Sequence, residues 1–295
     1  MDNDIAWELC RSFLAVLQEG SLSGAARSLG ITQPTVGRHI ATLEKSLGVA
    51  LFTRSQTGLI PTEAALATRS HAELMKSAAA AFQRAAENQG DGVKGTVRVS
   101  ASEVIGVEVL PAIIADLQQR HTQLKVELVL TNRLQDLLHR EADIAIRMTA
   151  PQQDSLIARQ VGTVTLGLYA HKNYLEQRGF PQALPDLTDH LLIGFDEETP
   201  FIRAARRQHP EWKRQAFSLR TDSDIGQLAL IRSGCGIGVC QEALAQRNPL
   251  LIRVLPQLFE LKLETWVVMH EDLRHSPRCK ETFDALVKGL ANHVN

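Results

Sequence analysis

The sequence predicts an α/β protein that begins with a winged helix-turn-helix, continues through a long helix and ends in a larger α/β domain. Three observations predict this arrangement. Two short helical segments flank a tight turn between Gly20 and Leu43. The run from Thr62 to Gln89 contains ten alanines and no glycine or proline. Beyond Gly92, strand and helix patterns alternate, which is typical of a parallel sheet with helices on both faces.

Composition and charge limit the functions and locations that the protein can have. The 295 residues allow two or three domains, and 44% hydrophobic with 22% charged residues is an ordinary globular composition. A net charge of -1 argues against a protein that coats nucleic acid through bulk charge. The sequence shows neither a signal peptide nor a membrane-spanning run, which predicts a cytoplasmic location and no membrane partner. Four cysteines and ten histidines match no metal-ligand spacing, so neither a metal nor a cofactor is expected.

The helix-turn-helix is predicted from capping residues and apolar spacing, and a first helix over 5–18 is expected to pack beneath it. Ser21 or Ser23 can cap the first short helix, and Gly30 ends it. Thr32 caps the second, with Pro34 in its first turn. Apolar residues of that helix turn inward at Val36, Ile40 and Leu43. The side chains left facing outward are those of Gln33, Thr35, Arg38 and His39.

The outward face has the character of a surface that meets DNA. No acidic residue occurs between Gly20 and Leu43, although the whole chain is slightly acidic. Phosphate-facing surfaces require such a local exclusion of carboxylates. The N-terminal end of the second helix of such a pair is the end that reaches base edges in the major groove. We therefore favour DNA binding over an ordinary helical hairpin with a polar face.

A β-hairpin, or wing, is predicted after the second short helix. Gly48 makes a turn, an apolar strand follows, and a second turn at 55–58 lets 59–60 return as a partner strand. Arg54 at the base of the wing, and Gln56 or Thr57 at its tip, are candidates to contact phosphate or the minor groove. Arg54 could equally pair within its own domain.

The alanine-rich run predicts a helix of about 40 Å that ends at Gly90. It contains few bulky apolar side chains, so burial within one chain stabilises it little. It is either a rigid spacer or a dimerisation helix. We favour dimerisation, because a spacer would leave Leu74 and Phe82 exposed to water.

The polar, glycine-rich stretch 88–92 marks the boundary to the C-terminal part. We predict its strands at 96–101, 124–130, 142–147, 163–170, 191–195, 216–220, 237–240 and 261–269. We predict its helices at 104–120, 134–140, 225–233 and 277–293.

Polar residues at predicted strand ends are candidates for a small-molecule site, since open α/β sheets bind ligands beyond the C-terminal ends of their strands. Each of these stretches also reads as an ordinary helix cap, the commoner role. Arg147 could meet an anion or form a surface salt bridge, and Phe195 could line the second half of the domain. The candidate ligand-contacting residues are Ser100, Ser102, Thr131, Arg147, Phe195 and Ser223.

The run 9–64 resembles the N-terminal domain of LysR-type transcriptional regulators. The matching motifs are Phe13-Leu14-Ala15-Val16, Gly20-Ser21-Leu22-Ser23, Ala25-Ala26, Leu29-Gly30-Ile31-Thr32-Gln33-Pro34-Thr35-Val36, Leu43-Glu44, Leu47-Gly48-Val49, Leu51-Phe52-Thr53-Arg54 and Thr62-Glu63-Ala64. Looser matches follow at Gly95, Leu110-Pro111, Ala142-Asp143-Ile144-Ala145 and Gly234-x-Gly236-Ile237-Gly238. The sequence departs from the family, which usually has serine, glutamine, leucine and glycine, at Gly37, His39, Pro61 and Ala65 respectively.

The resemblance implies a sequence-specific, double-stranded-DNA-binding regulator that carries out no catalysis. Its implied DNA contacts are Ser23, Thr32, Gln33, Pro34, Thr35, Arg38, His39, Arg54 and Thr57. It implies a winged helix-turn-helix at 1–61, a dimerisation helix at 62–90 and a two-lobed, periplasmic-binding-protein-like (type 2) effector domain at 91–295. Lobe I would comprise about 91–162 and 268–295, and lobe II about 163–267, with a small-molecule effector between them.

The resemblance further implies a homodimer or homotetramer, and RNA polymerase is a candidate partner. Cys235 and Cys240 could form the peroxide-sensing pair that some members of the family use, but their apolar surroundings favour buried thiols. The rival hypothesis is an enzyme or solute-binding protein built on the α/β half. The sequence shows no nucleophile–base constellation and no signal peptide, which disfavours both rivals.

Overall fold

The computed structural model describes residues 5–55, 58–86, 92–132, 142–151, 153, 155–210 and 212–294. These residues form two compact units, an N-terminal unit over 5–86 and a C-terminal unit over 92–294. Each unit has a hydrophobic core of its own, and each is described by itself. Within the described residues, no helix has the length and apolar character needed to cross a membrane.

Four helices and a two-stranded wing make up the described N-terminal unit. Its elements are α1 (Trp7–Glu19), α2 (Leu22–Leu29), α3 (Gln33–Leu47), β1 (Phe52–Ser55), β2 (Gly58–Pro61) and α4 (Glu63–Ala86). The core is formed mainly by one face of each of the first three helices, and includes Phe13, Val16, Ala25, Val36 and Leu43. The predicted helix-turn-helix and wing are therefore confirmed.

The caps of α2 and α3 depend on local hydrogen bonds. Ser21, not Ser23, caps α2, since its Oγ accepts from the Gly24 N–H at 3.1 Å. Gly30 ends α2 in the left-handed conformation at φ 67°, which glycine adopts without steric cost. The Thr32 hydroxyl caps α3 by accepting from the Thr35 N–H at 3.4 Å. The angle between the two helices is thus set by Ser21, Gly30 and Thr32, which lie close together in the sequence.

The wing is held to the helices through backbone contacts. The Leu59 N–H donates to the Gly20 carbonyl at 2.8 Å. Gly58 has φ 139°, and a Cβ there would lie 2.5 Å from the same carbonyl oxygen, so no other residue fits. On the other strand, Glu44 Oε1 accepts from the N–H groups of Leu51 and Phe52 at 2.7 and 3.2 Å. The wing therefore has a fixed position beside α3.

The described part of α4 leaves several apolar side chains in water. Thr62 caps the helix, its Oγ1 accepting from the Ala65 N–H at 3.2 Å. Leu66, Met75 and Phe82 are 56%, 37% and 76% exposed in the single chain. The predicted end of the helix, near Gly90, lies outside the described residues.

The C-terminal unit is an α/β domain. Its strands are β3 (Gly95–Ala101), β4 (Leu124–Leu130), β5 (Ile144–Arg147), β6 (Leu156–His171), β7 (Ile193–Gly194), β8 (Leu219–Arg220), β9 (Gly238–Gln241), β10 (Leu251–Val254) and β11 (Leu261–His270). Its α-helices are α5 (Glu103–Glu108), α6 (Leu110–Arg120), α7 (Lys172–Arg178), α8 (Pro200–Ala205), α9 (Asp224–Arg232), α10 (Glu242–Ala245) and α11 (Pro277–Val294). Short 3-10 turns occur at Leu184–Asp189, Arg214–Ala216 and Glu271–Leu273.

One curled seven-stranded sheet has the order β10-β6-β11-β5-β3-β4, with β9 also pairing with β6. Strand β3 runs parallel to both of its neighbours, β4 and β5, as predicted, whereas β5 pairs antiparallel with β11 on its other side. The long strands β6 and β11 pair with each other in antiparallel direction, with a register shift between Thr265 and Trp266. Strands β7 and β8 form a separate parallel pair.

The structure corrects several predicted elements. The helix expected over 104–120 is two helices, because the chain breaks at Val109, two residues before Pro111. Proline lacks an N–H and restricts the residue before it, which favours a new helix start here. The strand expected over 163–170 is longer, and those over 191–195 and 216–220 are shorter. Strand β10 and helices α7, α8 and α10 were not predicted, and the helix expected over 134–140 lies outside the described residues.

Candidate functional site

The first turns of α3 form an exposed polar surface. Gln33, Pro34 and Arg38 are exposed, and Thr35 is half-buried. The Ser23 hydroxyl donates to Gln33 Oε1 at 3.0 Å, so α2 orients the Gln33 amide. Because Gln33 is held by a neighbouring helix, its side chain is partly ordered before any ligand arrives.

The hydroxyls of Thr32 and Thr35 form a second pair on this surface, at 2.8 Å between the two oxygens. Thr32 is exposed and lies at the N-terminus of α3, where the unpaired N–H groups and the helix dipole favour an anion. Within α3 the one acidic residue is Glu44, whose carboxylate is turned to the backbone of the wing. The start of α3 therefore combines donors, acceptors and a guanidinium, and the first turn of the helix contains no acidic residue.

The structure corrects the outward orientation expected for His39. Its side chain is half-buried, and its Nδ1 lies 2.8 Å from the hydroxyl of Ser12, which is 1% exposed on α1. One edge of the imidazole therefore joins α3 to α1. A contact between His39 and DNA stays a prediction, and it would have to use the opposite edge of the ring.

The wing contributes one described candidate. Arg54 is exposed on β1, opposite Leu59 of β2. Gln56 and Thr57, the candidates at the tip, lie outside the described residues.

In the C-terminal unit, the ends of three strands meet at Glu103, a residue that is not among the candidates expected from the sequence. Glu103, the first residue of α5, receives a hydrogen bond from Ser223 Oγ at 2.8 Å and a longer one from the Ile225 N–H at 3.4 Å. Its own N–H donates to Asn132 Oδ1 at 3.3 Å. Glu103 follows β3, Asn132 follows β4 and Ser223 follows β8, so residues that follow three different strands meet here.

The individual candidates are placed differently around this point. Ser102 and Thr131 are half-buried at the ends of β3 and β4, and the Thr131 N–H donates to the Ala101 carbonyl at 2.9 Å. Ser223 is also half-buried, and it caps α9 by accepting from the Gly226 N–H at 3.2 Å. Arg147 is half-buried at the end of β5, opposite Trp266.

Two candidates have little surface left for a ligand. Ser100 is 2% exposed within β3. Phe195 is 6% exposed in the core formed around β7, with its ring 4.9 Å from that of Phe217 in an edge-on contact. The expectation that Phe195 lines the ligand site from the second half of the domain is corrected, because its ring packs inside the hydrophobic core.

Helix α5 contacts α9 at its other end as well. Glu108 forms a two-pronged ion pair with Arg232, at 2.6 and 2.8 Å. The hydrogen bonds and charge of Arg232 lower the pKa of Glu108 below its usual value. Beside Glu103, loss of hydration and the Glu103 charge raise the pKa of Asp224 to about 6. The two helices are thus joined at both ends, with two carboxylates close together at one of them.

Cys10, Cys240 and Cys279 are buried, whereas Cys235 is half-buried. Burial raises the pKa of Cys240 to about 12 and also raises the pKa of Cys10 and Cys279. A thiol that stays protonated is a poor nucleophile, which counts against a redox role for Cys240. Among the residues that the structure describes, no cluster of ligands suited to a metal ion is present.

Two family models match the chain. Residues 7–66 match the model described as "Bacterial regulatory helix-turn-helix protein, lysR family". Residues 90–291 match the model described as "LysR substrate binding domain", which is more than half of the chain. The two matches fall on the N-terminal and the C-terminal unit respectively.

Individual relatives agree with the models. A protein of Neisseria meningitidis serogroup C named "HTH-type transcriptional regulator CrgA" is 26% identical over 291 residues, covering 96% of each chain. An "HTH-type transcriptional regulator" of Xanthomonas campestris is 27% identical over 213 residues, which are 72% of this chain and 59% of that longer protein. The full-length structure of the Vibrio cholerae virulence activator AphB has a TM-score of 0.62 at 19% identity, covers 96% of this chain and 99% of its own, and shares the fold.

Proposed function

The chain belongs to the LysR family of transcriptional regulators, and on that premise we propose how it contacts DNA and where it binds its effector. As a member of this family it is a sequence-specific DNA-binding regulator, not an enzyme, and its DNA binding is modulated by a small molecule.

The exposed start of α3 enters the major groove of the operator. Gln33 and Arg38 are the side chains suited to base edges, because an amide can pair with adenine and a guanidinium with guanine in two-pronged geometry. The remaining contacts position the domain on phosphates. The full proposed contact set is Ser23, Thr32, Gln33, Pro34, Thr35, Arg38, His39, Arg54 and Thr57. The observation that carries this proposal is the exposed polar start of α3, whose first turn contains no acidic residue.

The protein acts as a homodimer or as a homotetramer of dimers, and residues 62–90 form the dimerisation helix. The exposure of Phe82 and Met75 on α4 supports this, since a second helix would cover them. A dimer presents two recognition helices to two half-sites of a partly palindromic operator.

The effector binds between lobe I, about 91–162 and 268–295, and lobe II, about 163–267. The proposed contacts lie at the ends of β3, β4 and β8, namely Ser102, Thr131 and Ser223, with Arg147 at the end of β5. We expect the regulator to work in the cytoplasm and to act on transcription through RNA polymerase.

Selection of bound duplexes from a random DNA library, followed by salt titration, tests the proposed function. We expect one recurrent sequence whose affinity exceeds that of a scrambled duplex by about 10³-fold or more. Its affinity should fall with salt with a slope of about −0.9 for each phosphate contacted. Equal affinity for all duplexes would contradict sequence-specific recognition.

A further inference from the structure

We infer that Glu103 is a latch between the two lobes, which holds α5 against α9 until the effector takes the place of its carboxylate beside Ser223. This inference rests on the proposed function, because it assumes that the effector binds where the ends of β3, β4 and β8 meet. It assigns a role to Glu103, and it proposes that the effector competes with the Glu103 carboxylate for the hydroxyl of Ser223.

The latch joins segments that are distant in the chain. Glu103 and Ser223 are 120 positions apart, one on the helix after β3 and the other on the turn after β8. The contact therefore fixes one half of the C-terminal unit to the other. The Ile225 N–H, at 3.4 Å, gives the same carboxylate oxygen a second and weaker donor from α9.

The hydroxyl of Ser223 can serve only one acceptor at a time. A serine hydroxyl has a single proton, and here it is directed to Glu103 Oε2. The oxygen of the same hydroxyl is already accepting from the Gly226 N–H. An effector oxygen that accepts from Ser223 must therefore displace the Glu103 carboxylate. Binding of such an effector is coupled to release of the latch by this shared proton.

The C-terminal ends of α5 and α9 stay joined when the latch at their N-terminal ends is released. Glu108 and Arg232 close the other end of α5 with two short hydrogen bonds. Since α5 has six residues, its two ends are only about 9 Å apart. Release at Glu103 lets the helices separate at their N-terminal ends while the ion pair still holds their C-terminal ends.

Like charge keeps the latch reversible. Asp224 stands next to Ser223 in the first turn of α9, and its negative charge opposes that of Glu103. The latch is thus one carboxylate that accepts from two donors of α9 with a like charge beside it, and a ligand that brings its own acceptor can replace it, as a two-state switch requires.

Hydrogen exchange on the full-length protein tests the latch. We expect Glu103→Ala to accelerate exchange of the amides at 223–228 about tenfold, because the Ile225 N–H and the capped turn lose their carboxylate. Glu127→Ala is the matched control. Glu127 is an exposed glutamate in the middle of β4, where it pairs with Arg98 at 2.9 Å.

Acetate distinguishes a latch from a merely structural glutamate. Added sodium acetate should slow exchange at 223–228 in Glu103→Ala, compared with sodium chloride at equal ionic strength, because acetate can occupy the vacated place. It should have no such effect in the wild type or in Glu127→Ala. Unchanged exchange in Glu103→Ala would contradict the latch. Acceleration spread over the whole C-terminal unit, with no response to acetate, would also contradict it.

A DNA-binding measurement then tests whether opening the latch changes the affinity of the protein for its operator. With the selected operator and no effector, Glu103→Ala should change affinity at least about threefold relative to Glu127→Ala. If the wild type binds no duplex specifically, the proposed function fails while the exchange result still stands. If the wild type binds its operator and Glu103→Ala binds it equally well, the latch is not part of regulation.

Discussion

Replacing Arg38 by alanine is expected to lower affinity for the selected operator by about 10- to 100-fold, and to relax its preference at one base pair. The side chain is exposed on the second turn of α3, and no described contact of the core depends on it. A two-pronged contact between arginine and guanine contributes about 1–3 kcal/mol of discrimination, and 1.4 kcal/mol corresponds to a factor of ten. The fold should be unaffected, because the buried residues of α3 are Val36, Ile40 and Leu43.

Fluorescence anisotropy with the operator and with single-base variants of it measures this effect. Arg120→Ala is the control, since it removes the same charge from an exposed position on α6, where Arg120 pairs with Asp116 at 3.2 Å. Arg120→Ala should bind like the wild type. If Arg38→Ala and Arg120→Ala bind the operator equally well, Arg38 does not belong to the recognition surface.

Phe82→Asp is expected to convert the protein to monomers, and thereby to weaken operator binding by about 10²- to 10⁴-fold. Phe82 and Met75 lie seven residues apart, which is two helical turns, so they share one face of α4. Phe82 is 76% exposed in the single chain, a large apolar area to leave in water. A charge at the centre of a helix pair must be desolvated without a partner, which opposes association. Loss of the second recognition helix then removes the gain from binding two half-sites at once.

Sedimentation velocity over a concentration series measures the change in assembly. The control is Gln83→Asp, which places the same charge at an exposed neighbouring position without removing the aromatic ring. We expect Gln83→Asp to remain assembled. A Phe82→Asp protein that sediments like the wild type would show that this face of α4 is not the dimer contact.

The helix-turn-helix could be predicted because its determinants are local. Ser21, Gly30 and Thr32 act within one or two turns of the helices that they cap, so spacing alone reveals them. Pro111 restricts the chain near Val109, so the sequence does contain a signal for a helix break there. The apolar periodicity continues across the break, however, and predicts a single helix. Periodicity reports which residues turn inward and is insensitive to a change in helix axis.

Long-range contacts could not be predicted in this way. The polar ends of β3, β4 and β8 pointed to the region where the strands meet, but Glu103 reads in sequence as an ordinary acidic residue in the first turn of a helix. Its role depends on Ser223, whose position is set by the sheet and not by its neighbours in the chain. For the same reason His39 appeared to face outward, because its partner Ser12 lies on another helix.

Photocrosslinking from the start of α3 tests most directly that this surface enters the major groove. The photoreactive residue p-benzoylphenylalanine would replace Gln33 in one protein and Lys45, at the exposed far end of α3, in another. After irradiation with the operator, we expect crosslinks from position 33 to bases at the centre of each half-site, and none to bases from position 45. Base crosslinks from position 45 alone, or none from position 33 in a protein that still binds the operator, would contradict recognition by this surface.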